Sequence, residues 1–349
     1  MIKKEYTEKG WRYPVDTTRH HRENDWDYHG RAIYHITLVV AERKHLFGEL
    51  MGDSAETARI ELNKFGTQVY RKLHDLPQFY LPKGYELKML AIQVMPDHLH
   101  FVIYAMKPLP KHIGAIVRGF KSACTSIYKR IYFGGDNTIE TDKTDALSSP
   151  VFAQFSSNLS NNGSIWEKMP AGYHERILHA AGQLQNMINY VHDNPRRLWL
   201  KKKHPKNFAV QRNVRWKEYS FDAVGNLWLM DTPMHAVHVR RGFSEEKTRT
   251  YMNQCILAAR QGAALVGAFI SPKEKQVLEV AIQEELLVIY LVPHGFSDYY
   301  KPSGNLMNAC AKGKMLFLTD SSSDVHPHHS ISREECNRLN AIAVVLAGS

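Results

Sequence analysis

The stretch AIQVMPDHLHFVIY, residues 91–104, sets two histidines one residue apart inside an apolar run. Apolar runs of this length with β-branched residues read as strands, and residues two apart on a strand share a face. His98 and His100 therefore stand side by side, while Leu99 points the other way into a core. Met95-Pro96-Asp97 interrupts the run just ahead of them, since proline cannot continue a sheet ladder, so two strands meet there at a tight turn. Far along the chain, Tyr190 and Asn194 lie four apart just before Pro195, on one face of a helix. Singly, each residue has a plain structural use: histidines in a packed sheet, an aromatic that fills a core, an asparagine that ends a helix before proline. Together they make a chemical set. Two imidazole nitrogens and one amide oxygen suit a divalent cation such as Mg²⁺ or Mn²⁺, with positions left for substrate oxygens. A tyrosine one helical turn from that cation is a nucleophile for an activated phosphorus.

The elements that must position this set can be read from periodicity. Residues 1–30 are polar and form an arm. RAIYHITLVVAE (31–42) is a strand, and 54–76 carries helical periodicity behind a Ser54 cap. YELKMLAIQVM and HLHFVIYAM follow as strands, and 109–132 reads as a basic amphipathic helix. With a further strand near 173–180, the order is the β-α-β-β-α-β of ferredoxin-like domains. Residues 133–165, rich in Ser, Asn, Asp and Gly, read as a long loop. A helix over 180–195 is closed by its proline and followed by a basic run, 196–206. A first domain thus spans 31–206, and 207–233 reads as a linker. In 234–349, MHAVHVRR, GAALVGAF, ELLVIYLV and KMLFLTD alternate with helices at 244–261, 271–285, 305–312 and 332–347. That alternation predicts an α/β, Rossmann-like three-layer domain with a parallel sheet.

The chain has 349 residues with a net charge of +10 and four scattered cysteines. The cysteines form no C-x-x-C pair, which fits a reducing cytoplasm and argues against a disulfide framework or zinc knuckle. No apolar stretch is long enough for a membrane span, and the first residues lack a secretory signal. The charge favours a polyanionic partner. Arg118, Lys121, Lys129 and Arg130 on the 109–132 helix, and Arg196 and Arg197 after Pro195, are candidate phosphate contacts. Whether the chain acts as a monomer or a homodimer is not fixed by sequence.

Met95-Pro96-Asp97-His98-Leu99-His100 and Tyr190-Val191-His192-Asp193-Asn194-Pro195 together resemble the HUH single-tyrosine transposases. The likeness is to the REP-associated tyrosine transposases above all. YHITLVVAERKHLFGE (34–49), VRGFKSACTSIYKR (117–130) and IWEKMPAGYHERIL (165–178) match as well, so the resemblance covers about residues 30–200. It implies an α+β ferredoxin-like HUH nuclease domain that cleaves and rejoins single-stranded, hairpin DNA. Tyr190 would form a 5′-phosphotyrosine link, and His98, His100 and Asn194 would hold the metal. A nucleic-acid-binding protein that cuts nothing is the alternative. A zinc hydrolase built on the two histidines lacks a carboxylate ligand at a suitable spacing.

The segment from GAFISPKEK to KMLFL looks, more loosely, like the Rossmann-type domain of DNA-processing proteins. There Ser271-Pro272 reads as a helix cap. The other reading is an anion at that helix start, near Arg240, Arg241, Lys301 and Ser303. VHPHH (325–329) reads as a solvated loop.

Overall fold

The computed structural model describes residues 5–7, 10–12, 26–133, 164–167, 173–240, 242–298, 300–302, 304–320, 322 and 331–348. Most of the arm at 1–30, nearly all of the 133–165 loop, the VHPHH motif, Arg241 and Ser303 lie outside them. The chain forms two compact units, Met1–Arg196 and Arg197–Ser349, and its architecture is mixed α and β.

In the arm, β1 (Glu5–Thr7) and β2 (Gly10–Arg12) pair antiparallel. The first unit continues with β3 (Ala32–Val39), β4 (Gly48–Met51), β5 (Arg59–Leu62), α1 (Lys64–His74) and α2 (Leu76–Tyr80). Then come β6 (Leu87–Val94), β7 (His98–Ala105), α3 (Ile113–Phe133), β8 (His174–Ile177) and α4 (Gln183–Lys203), which crosses the division between the units. An antiparallel sheet has the order β6-β7-β3-β8.

Because side chains alternate along each strand, this sheet has two different faces. Tyr34, Ile36 and Leu38 of β3 and Leu99, Phe101 and Ile103 of β7 meet α1 and α3 in the main core. Ile33, Ala91 and Val102 point the opposite way, under Leu184, Met187, Ile188 and Val191 of α4. By the same alternation, this second face carries His35, Thr37, His98 and His100.

The helix expected over 54–76 is shorter. Arg59–Leu62 alternates exposed and half-buried residues and pairs with β4, with Ser54 in the turn against Thr57. The actual cap of α1 is Asn63, whose side chain accepts from the Gly66 amide at 2.8 Å. Gly66 lets the helix close on the preceding loop, since a Cβ there would stand 1.9 Å from the Phe47 carbonyl oxygen.

The second unit contains α5 (Pro205–Phe208), β9 (Gln211–Trp216), β10 (Tyr219–Gly225), β11 (Met234–Ala236), α6 (Glu245–Arg260), β12 (Ala264–Gly267), α7 (Pro272–Gln283), β13 (Val288–Leu291), α8 (Gly304–Ala311), β14 (Met315–Asp320) and α9 (Arg333–Ala347). Its sheet has the order β11-β12-β13-β14-β10-β9. β11 to β14 run parallel as expected, while β10 and β9 add an antiparallel flank. Residues 207–233 are therefore not a linker. Phe221 to Gly225 are buried throughout, so β10 lacks the alternation that marks a half-exposed strand.

At the start of α7, Ser271 forms a capping box with Glu274. The Glu274 carboxylate also accepts from the amides of Val239 and Ile270, each at 3.0 Å. The Val239, Ile270 and Ser271 amides here are thus taken by the chain's own carboxylate, and the Glu274 amide by the Ser271 hydroxyl, which favours the structural reading of Ser271.

Candidate active site

The second sheet face gathers the histidines. Antiparallel register sets His100 beside Thr37 of β3 and Gln93 of β6, and Thr37 beside His174 of β8. One row across the sheet thus reads Gln93, His100, Thr37, His174. His35 lies one row over, next to Arg176. The rings of His98 and His100 meet edge to face with centroids 4.9 Å apart. His35 stacks on His100 at 5.2 Å.

The sheet holds both candidate ligands by the same atom. His98 Nδ1 lies 2.5 Å from Asp97 Oδ1, at the turn that Pro96 creates. His100 Nδ1 lies 2.8 Å from Thr37 Oγ1 and 3.2 Å from His35 Nε2. Burial, with the Arg176 charge adding to it, pushes His35 down to about 4, so its ring is neutral at pH 7. Thr37 and His35 thus both engage His100 at Nδ1, which fixes that ring's orientation on the sheet. At Asp97, burial raises the carboxyl, but the bond from His98 and the nearness of His98 and Arg43 outweigh it, and the group ends lowered. The Asp97 carboxylate likewise holds the His98 ring at Nδ1.

Tyr190 comes to this face from α4. Its ring is 5.7 Å from that of His100 and 6.1 Å from that of His35, edge-on to both. Val191 next to it is fully buried and anchors the helix on Val102, whereas Tyr190 is 38% exposed and so accessible to a large substrate.

α4 does not stop at Pro195, and Asn194 is part of the reason. Proline has no N–H, so the carbonyl four residues back, that of Val191, loses its helical donor. Asn194 Nδ2 fills the gap, lying 3.3 Å from Val191 O and 2.9 Å from Tyr190 O. The same bonds commit the amide nitrogen to the helix backbone and leave Oδ1 outside them. Asn194 is buried beside Val191.

The residues on which a cation would depend are thus two imidazoles engaged at Nδ1 and an amide whose nitrogen is bonded to the helix backbone. Among the described residues, no group of three or more His, Cys, Asp or Glu is placed to hold a metal.

The candidate phosphate contacts divide. Arg118 and Lys129 on α3 are exposed, and Arg130 is exposed with a bond to Gln68. Lys121 is half-buried, and its burial lowers the ammonium pKa. Arg196 forks onto Asp193, at 2.5 and 2.9 Å. Arg197 is corrected outright: it is buried, and its guanidinium donates to Pro302 O at 3.0 Å. Trp166 and Tyr173 pack in the main core. Sequence reasoning missed His35 and Thr37. Their alternation with Tyr34, Ile36 and Leu38 was legible, but the register that puts them beneath His100 was not.

No family model matches this chain, and no curated protein does. Among solved structures, the single-stranded-DNA-binding DNA processing protein A of Helicobacter pylori aligns over 40% of this chain and 67% of its own. The identity is 18% and the TM-score 0.30. A candidate transposase from Deinococcus radiodurans aligns over 50% of this chain and 96% of its own, at 15% identity and TM-score 0.22. Alignments this loose leave function to be read from the site itself.

Proposed function

We propose that the protein is a metal-dependent single-strand DNA transesterase of the HUH single-tyrosine type, with Tyr190 as nucleophile. The observation that carries this reading is the meeting of Tyr190 with His100 and His35 on one sheet face, from elements far apart in sequence. The strand order β6-β7-β3-β8, with α1 and α3 on one face and α4 on the other, supports a ferredoxin-like domain. The parallel run β11 to β14, with intervening helices, supports a Rossmann-like second domain.

The phenol of Tyr190 attacks a backbone phosphorus. A tyrosyl O–P bond forms, the bond from phosphorus to the 3′ oxygen breaks, and the phenolic proton is passed on to the departing 3′ oxygen. One ester replaces another, so no nucleotide cofactor is consumed. Partial exposure leaves Tyr190 open to a polymer, and the buried Val191 fixes the helix that presents it. Mg²⁺ or Mn²⁺, held by His98 Nε2, His100 Nε2 and Asn194 Oδ1, would withdraw charge from the phosphate oxygens. Asp97, Thr37 and His35 keep the two imidazoles in the orientation that such ligation requires.

The test is denaturing electrophoresis of labelled single-stranded hairpins incubated with wild type and with Tyr190→Phe, with and without chelator. Wild type should form a covalent protein–DNA adduct, whereas the variant should form none and bind DNA with nearly unchanged affinity. An adduct from Tyr190→Phe would move the nucleophile elsewhere. No adduct from wild type with any hairpin and either metal would leave the non-cleaving binder.

A further inference from the structure

β6 is an outer strand of its sheet and pairs with β7 on one side. Along its other side runs a groove of about 430 Å³, walled by Tyr70, His74 and Gln78 from the α1–α2 corner and by His192 from α4. We propose that this groove is the track for the DNA strand leading to Tyr190, a reading that rests on the transesterase assignment and extends it.

Three features favour a single polynucleotide strand as the occupant. The first is charge: Lys88 lines the groove beside the imidazoles of His74 and His192, and among the described residues no carboxylate does. The acids closest in sequence are already held, Asp75 by His74 Nδ1 at 2.8 Å, Glu86 by Lys107 at 2.5 Å and Asp193 by Arg196 at 2.5 Å. The second is flat apolar surface. Tyr70 is exposed and stacks on His74 with rings 6.4 Å apart. Beyond the rim, exposed Phe79 carries Lys83 3.8 Å above its ring and Lys72 at 5.2 Å. Alternating rings and cations suit stacked bases and their phosphates. The third is continuity. The groove ends at Ile92, and the next residue, Gln93, is the cross-strand neighbour of His100. From Lys88 to Gln93 the strand covers about 17 Å, the length of about five stacked nucleotides.

The experiment uses full-length protein and a fluorescein-labelled, mixed-sequence single strand of about 20 nucleotides, longer than the groove. Tyr70→Ala combined with Lys88→Glu should weaken binding about tenfold, with a smaller salt dependence and an unchanged melting temperature. Lys217→Glu, an exposed charge reversal in the second unit, should change affinity far less. Gln78→Cys carrying a photoreactive group should cross-link to the strand. Equal affinity of wild type and the double variant would overturn the track. Cross-linking to a second copy of the chain in place of DNA would also overturn it, by making the open β6 edge a self-pairing surface. The adduct assay separates the two readings. An adduct from wild type with an unaffected double variant sinks the track alone. A lost affinity without any adduct sinks the transesterase and leaves the strand-binding groove.

Discussion

Thr37 and His35 touch no substrate in the proposed reaction, yet both engage His100 at Nδ1. Partners of this kind on ligating histidines are worth about 10- to 100-fold in metal affinity or activity. Thr37→Val keeps the shape and removes the hydroxyl, so it should lower the adduct-forming rate by about that factor and shift the Mn²⁺ titration to higher concentration. Strand affinity should stay the same. A rate equal to wild type would mean that His35 alone fixes the ring. Arg197 shows the opposite case. Its charge suggested DNA, but it is spent on Pro302 O in a buried position, so Arg197→Ala should cost stability and leave the salt dependence of DNA binding unchanged.

At the scale of elements, α4 is the unusual one. An interior proline costs about 3 kcal/mol against alanine in a plain helix, and here Asn194 recovers part of that. Pro195→Ala returns the N–H to Val191 O and should raise the thermal midpoint by several degrees, read by circular dichroism. It also makes the Asn194 bond to Val191 O redundant, so the adduct yield should fall even as stability rises. A yield that rises with stability would show that the amide needs no such tether. α1 provides a simpler test. Asn63→Ala removes the cap bond to Gly66 and the bond from Asn63 Nδ2 to Leu46 O at 3.0 Å. Loss of the cap should cost about 1 kcal/mol in denaturant unfolding.

For the whole molecule, charge and thiols give the accessible predictions. With a net charge of +10, single-strand affinity should fall steeply with salt. Arg118→Ala and Lys129→Ala should each reduce the slope by about one unit if their side chains meet phosphate. Half-buried Lys121 should reduce it less. Cys124, Cys255 and Cys310 are buried, which pushes Cys255 up to about 11 and Cys310 up to about 12. Cys336 is partly exposed. At pH 8 the native protein should therefore release one fast thiol to a disulfide reagent, and four after denaturation. Two or more fast thiols in the native state would contradict the packing around α3, α6 or α8.

Much of the candidate site's local geometry was legible in the sequence, because its spacing rules are local. The period of two set His98 and His100 on one face, and proline at 96 marked the turn before them. A period near four set Tyr190 with Asn194, and Ser271-Pro272 announced its cap. These patterns depend on backbone geometry within a few residues, which the sequence determines by itself. What lay out of reach depended on pairing between distant segments. The register of β3 on β7 decides that Thr37 and His35 sit beneath His100. The depth of the second sheet decides that β10 is a buried strand, though its residues read as a linker. The competition between a missing proline donor and a neighbouring amide decides that α4 continues to Lys203. Burial against Pro302 decides that Arg197 meets a carbonyl rather than a phosphate. Each is settled by which far partner a group finds once it has been taken out of water, and only the tertiary structure fixes that partner.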